Sequence, residues 1–119
     1  MDDWTSAARR IARTAARLSL PEVAEGTSYG TPALKVRGKS FTRLKDPETL
    51  VLLVPIELKD LLVETSPEVY FETDHYRGWP AILVRLAAIS DAELGQRLAD
   101  AWRHKAPKRL AATWPAPDR

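Results

Sequence analysis

The chain of 119 residues has no cysteine and only two histidines, His75 and His104. Without cysteine it can form no disulfide, no iron–sulfur cluster, no thiolate nucleophile and no zinc site with thiolate ligands. Two imidazoles are too few for a histidine-rich metal site. We therefore expect no metal, and no motif in the chain indicates a cofactor.

Long hydrophobic runs are also missing. No apolar stretch approaches the roughly 18 to 20 residues that a membrane span needs. The first residues, Met1-Asp2-Asp3-Trp4, begin with acidic side chains and lack the basic and then apolar pattern of a signal peptide. These absences predict a soluble cytoplasmic protein that does not bind a membrane.

The residues that are present suit one globular domain. Apolar residues make up 45% of the chain and charged residues 29%, so the chain can bury a core and is too apolar to be disordered. We expect a single domain over residues 1–114, followed by a frayed tail over residues 115–119 that contains two prolines. We also expect a monomer.

The net charge of +2 is unevenly distributed. Residues 1–45 carry nine Lys/Arg and four Asp/Glu, residues 46–100 carry four and eleven, and residues 101–119 carry five and one. Two basic ends therefore flank an acidic middle. This asymmetry is compatible with an anionic partner on one face, but the simpler interpretation is that the basic ends pack against the acidic middle.

Apolar residues at three- and four-residue steps predict the helices. They lie over residues 3–18, 56–64 and 90–105, the last with a capping box at Ser90 and Glu93. A short final helix begins near Pro107. We interpret residues 20–26 as the break and the end of the first helical region, with Gly26 as its cap.

Segments rich in β-forming residues predict about five strands, over residues 33–36, 40–44, 49–54, 69–73 and 81–86. If Gly38 and Lys39 form the loop of the first hairpin, Val36 pairs with Phe41 and Leu34 pairs with Arg43. Strands joined by short turns are antiparallel. The predicted fold class is therefore α+β, with a single antiparallel sheet of about five strands and helices packed mainly on one face.

Five short motifs follow one another along the chain in a characteristic order and spacing. They are LPEV (20–23), YGTP (29–32), KVRGK (35–39), HYRGWP (75–80) and APKRL (106–110). In these motifs the sequence resembles the YjbR/MmcQ family of small bacterial proteins. The resemblance implies a compact domain with an antiparallel sheet, likened to a "double wing" DNA-binding module, and it assigns no catalytic residues.

The first functional hypothesis, which the resemblance implies, is DNA binding without catalysis. The candidate residues are the basic side chains of the first hairpin: Lys35, Arg37, Lys39 and Arg43. They would contact phosphates, which gives salt-sensitive binding with little sequence selectivity, to single or double strands. The alternative is that the hairpin tip is basic only because it is solvated.

The second hypothesis is a module that binds a small molecule or a partner protein. Its candidate residues are aromatic or amphipathic side chains at loop edges: Tyr29, His75, Tyr76, Arg77 and Trp79. If the two loops meet, they form a shallow polar pocket in which Arg77 could hold a carboxylate or phosphate. Alternatively, these aromatics cover sheet edges and Arg77 pairs with Glu72 or Asp74.

An enzymatic function has little support in the residues. Asp74 and His75 are the one candidate acid–base pair. The chain has no glycine-rich phosphate loop, no nucleophile elbow and no spacing typical of metal ligands. We therefore expect that the protein is not an enzyme.

Overall fold

The computed structural model describes residues 3–115, so most of the predicted tail, residues 116–119, lies outside the described part of the chain. The elements follow one another as α1 (Asp3–Arg17), β1 (Val23–Ser28), β2 (Thr31–Val36), β3 (Lys39–Asp46), β4 (Thr49–Leu53), α2 (Ile56–Thr65), β5 (Tyr70–Phe71), a 3-10 turn (Asp74–Tyr76), β6 (Ala81–Arg85), α3 (Asp91–Lys105) and α4 (Lys108–Ala111). Among the helices of residues 3–115, none has the length and hydrophobicity that a membrane-spanning helix requires.

The six strands form one antiparallel sheet in the order β1-β2-β3-β4-β6-β5. The α+β fold class is thereby confirmed. The strand that the sequence analysis missed is β1, where we predicted the end of a helix. Its residues are mostly exposed, and its pairing with β2, from Val23 opposite Val36 to Ser28 opposite Thr31, places it in the sheet. Tertiary pairing thus overrides a weak local preference.

The predicted register of the β2–β3 hairpin is wrong, because the loop lies one residue earlier in the chain than predicted. Arg37 and Gly38, not Gly38 and Lys39, form its two-residue loop, with φ of 49° and 81°. Such a loop requires positive φ at both central residues. Val36 therefore pairs with Lys39, and after a register shift Ala33, not Leu34, lies opposite Arg43. Adjacent residues of a strand point to opposite faces of the sheet. Because Arg43 lies opposite Ala33, it projects from the face opposite to that of Leu34.

The main core lies between one face of the sheet and the helices α1 and α3. Its largest fully buried side chain is Trp102, whose indole Nε1 donates a hydrogen bond to the carbonyl of Pro21 at 3.0 Å. Arg10 joins α1 to the start of α3, since its guanidinium donates to Asp91 at 2.8 Å and to the carbonyl of Leu86 at 2.6 Å. As predicted, the helices pack mainly on this face.

The opposite face of the sheet, which we call the open face, carries a smaller apolar cluster. Val51, Ala81 and Leu83 form its buried centre, with Leu53, Phe71 and Tyr76 packed beside them. Lys35 and Arg43 project from the same face, beyond the apolar cluster. Several of the candidate binding residues, namely Lys35, Arg43 and Tyr76, therefore lie on or beside the open face.

Candidate binding cleft

The open face of the sheet forms the floor of a cleft of about 580 Å³. Apolar side chains of β4 and β6, among them Val51 and Ala81, line the floor. The walls come from the turn after β1, from the loop of residues 73–80 and from Lys105 at the end of α3. Small-molecule sites in proteins have volumes of about 300–1,000 Å³ and mostly apolar linings with a few polar groups. The cleft fits this description.

Two aromatic side chains at the cleft are strongly exposed. Tyr29 is 90% exposed and Trp79 is 63% exposed. Tyr29 occupies the two-residue turn between β1 and β2, where it and Gly30 both have positive φ. Exposed aromatic rings on a concave surface are typical of binding sites, because they offer a large contact area at little cost in conformational entropy.

The charged side chains that line the cleft are all cationic. Arg43 Nη2 donates a hydrogen bond to the Tyr76 hydroxyl at 2.9 Å, and its guanidinium lies 5.2 Å from the centre of the Tyr29 ring. Within residues 3–115, no carboxylate lies within 4.0 Å of Arg43 or of Lys105. Burial, and then the charge of Lys105, lower the pKa of the neighbouring His104. The cleft therefore presents positive charge that no acidic side chain of the described chain neutralises.

A buried lysine that the sequence analysis missed holds one wall of the cleft. Lys59 of α2 is 2% exposed, and its Nζ donates to the carbonyls of Tyr76 at 2.7 Å and Trp79 at 2.9 Å. It also forms an ion pair with Glu72 at 2.8 Å. Lys59 lies three residues before the buried Leu62, and side chains at that spacing share a helix face. This spacing is the sequence signal from which the burial of Lys59 could have been predicted.

The structure brings four of the five loop candidates together. Tyr29, His75, Tyr76 and Trp79 all line the cleft. Arg77 lies outside it, is largely exposed, and pairs with Asp74 at 2.8 Å and Glu72 at 3.8 Å. This is the pairing that the sequence analysis considered as the alternative to anion binding by Arg77.

The four basic residues of the hairpin divide into two groups. Arg43 and Lys35 project from the open face, where the Lys35 side chain passes close to Gly26. Arg37 and Lys39 lie at the hairpin tip, and Arg37 binds the Glu22 carboxylate through two hydrogen bonds of 2.8 and 2.9 Å. The strand register explains this pair, since Glu22 precedes Val23 and Arg37 follows its partner Val36.

The ion pair between Arg37 and Glu22 predicts a measurable shift in the pKa of the Glu22 carboxyl group. Hydrogen bonding from Arg37 lowers the pKa of the Glu22 carboxyl below its ordinary value. The pair therefore favours the folded state above the ordinary pKa of glutamate, and this contribution is lost as the pH falls through the lowered value. In a ¹³C NMR titration we expect the Glu22 carboxyl pKa to rise in Arg37→Gln. The control Lys39→Gln should leave it unchanged, and an equal pKa in wild type and Arg37→Gln would contradict the pairing.

The side chains of Asp74 and His75 form no hydrogen bond with each other in the structure. The Asp74 carboxylate binds Arg77, and the His75 ring packs edge-on against Tyr76 with ring centres 5.2 Å apart. In residues 3–115 there is also no group of three or more His, Asp or Glu side chains that could hold a metal ion.

Comparison with known proteins agrees with the resemblance in the sequence motifs. A family model described as YjbR matches residues 18–104. Uncharacterized proteins of Mycobacterium bovis and of two strains of Mycobacterium tuberculosis are each 45% identical to the chain over 53 residues. That stretch covers 44% of this chain and 41% of each relative's length. No solved structure matches the chain.

Proposed function

The chain belongs to the YjbR family, and we propose that it is a DNA-binding protein without catalytic activity, whose interface is the open face and the adjoining β2–β3 hairpin. The observation that carries this proposal is the combination of unneutralised cations with exposed aromatic rings on one surface. Arg43 and Lys105 lie at the cleft beside Tyr29 and Trp79. Cations contact phosphates, and aromatic rings stack on bases.

The hairpin extends the cationic surface beyond the cleft. Lys35 projects from the same face as Arg43, whereas Lys39 lies opposite the core residue Val36 and is exposed at the hairpin tip, where it can be reached from the edge of the open face. No carboxylate of residues 3–115 lies within 4.0 Å of either lysine. Arg37 differs, because Glu22 neutralises it. We therefore propose that Lys35, Lys39 and Arg43 make the phosphate contacts and that Arg37 contributes less.

A second candidate function is the binding of a small anionic molecule in the cleft. The observation that favours it is the concave shape, with a volume of about 580 Å³ and an apolar floor. Such a ligand would use Arg43 and the aromatic walls but would not need Lys35 or Lys39. Variants of these two lysines therefore distinguish the two functions.

Fluorescence anisotropy with labelled single- and double-stranded DNA tests the proposal. With about three phosphate contacts, raising the salt from about 50 to 200 mM should weaken single-strand binding about 20-fold. The double variant Lys35→Glu/Lys39→Glu should weaken it more than about tenfold at the lower salt, because two contacts become repulsive.

The matched control is Arg9→Glu/Arg13→Glu. These two arginines are exposed on α1, which packs on the other face of the sheet. The control changes the net charge by the same amount and should bind DNA nearly as wild type does. No binding at about 50 mM salt, or equal losses in the two double variants, would refute an interface on the open face.

A further inference from the structure

We infer that the DNA bound by this protein is single-stranded and that the cleft receives one unpaired base. This inference rests on the proposed function and specifies its substrate class. The cleft combines an apolar floor with exposed aromatic rings at Tyr29 and Trp79. In a duplex the bases are paired and stacked on their neighbours, so their faces are not available to protein rings. Only an unpaired base can bring its face into such a cleft.

The apolar floor is suited to a flat ring. Val51 and Ala81 are buried in the sheet beneath the cleft, and Leu53 packs beside them. The carboxylates of the described chain do not line the cleft, and its polar lining includes the hydroxyl-bearing residues Ser28 and Ser40. A surface of this composition contacts the π-face that all bases share. We therefore expect binding that tolerates different bases.

Arg43 is positioned to hold the phosphate next to that base. Of its guanidinium nitrogens, only Nη2 donates to another residue within 3–115, namely to the Tyr76 hydroxyl. Nε and Nη1 remain available to a phosphate oxygen. The centre of the Tyr29 ring lies 5.2 Å from the guanidinium carbon, and this cation–π contact is a second restraint on the side chain. A cation held in this way loses little further entropy when it binds an anion.

The wall that carries Trp79 is also held in place before any ligand binds. The ammonium group of Lys59 is buried and donates hydrogen bonds to the carbonyls of Tyr76 and Trp79. It therefore does not readily exchange these partners for others. The loop is thus fixed at two points close to the aromatic side chains. A preformed wall favours binding because the ordering cost is already met in the free protein.

The test compares a labelled oligothymidylate of about twelve nucleotides with the duplex that it forms with its complement, at about 50 mM salt. We expect the single strand to bind at least about tenfold more tightly than the duplex. Trp79→Ala and Tyr29→Ala should each weaken single-strand binding about tenfold, and Trp79→Phe should retain most of it. Both side chains are exposed, so the variants should unfold at the wild-type temperature.

The outcomes separate this inference from the proposed function. If the duplex binds as tightly as the single strand, or if both alanine variants bind like wild type, the inference is wrong. The proposed function would still stand in that case, provided that Lys35→Glu/Lys39→Glu weakens binding. If neither form of DNA binds at about 50 mM salt, the proposed function fails and the inference fails with it.

Discussion

Replacement of Lys59 by methionine is expected to lower the free energy of unfolding by about 3 kcal/mol. Methionine keeps most of the length and the apolar stem of lysine, so α2 should still pack. The loss arises at the ammonium group, which binds two carbonyls and the Glu72 carboxylate. We place the effect at the lower end of the roughly 3–5 kcal/mol typical of broken buried ion pairs, because water still reaches Glu72.

Urea unfolding measures this loss of stability, and hydrogen exchange locates it. We expect faster exchange at the backbone amides of residues 76–79, since the loop loses both attachments to α2. The control is Lys108→Met, which removes an exposed lysine and should change stability by less than about 0.5 kcal/mol. Equal stability of the two variants would show that Lys59 does not hold the loop.

Replacement of Trp102 by alanine is expected to cost about 3–5 kcal/mol. The side chain is completely buried between α3 and the sheet, so its removal leaves a large cavity. It also removes the donor to the Pro21 carbonyl and the edge-on contact with the Trp114 ring, whose centre lies 6.0 Å away. Because Trp102 precedes Lys105 by one helical turn, the end of α3 beside the cleft should loosen as well.

Thermal and urea unfolding measure this second effect, and the chain offers a control of the same residue type. Trp79→Ala removes an indole that is 63% exposed and should change stability by less than about 0.5 kcal/mol. The variant Trp102→Phe keeps most of the packing but loses the hydrogen bond to Pro21, so its stability should lie between wild type and Trp102→Ala. If Trp102→Ala is as stable as Trp79→Ala, the described core packing is wrong.

Local sequence signals predicted the helices well. The α3 helix begins after Ser90, whose hydroxyl accepts a hydrogen bond from the Glu93 amide at 3.1 Å, as the capping box predicts. The apolar residues at three- and four-residue steps in α1 and α3 also lie on the buried sides of these helices, and Trp102 is one of them. These features depend on residues within a few positions of one another, and a single sequence contains that information.

Strand β1 and the hairpin register were not predictable in the same way. The residues of β1 have little hydrophobic alternation, so only their pairing partner places them in the sheet. In the hairpin, a one-residue shift of the loop changed every pairing partner. Nothing in the local sequence indicates that Arg37 adopts the positive φ that this loop requires. Register depends on the twist and bonding of both strands together.

The sequence by itself determined the fold class, the helices with their buried sides and the residue types available for binding. Tertiary structure alone decided which of these residues meet. It placed Tyr29 and Trp79, which are fifty positions apart in the chain, at the same cleft. It turned Arg43 into the cleft, paired Arg37 with Glu22, and buried Lys59 under the loop. The reason is physical: strand order and register set distances between residues far apart in sequence, and no local pattern encodes those distances.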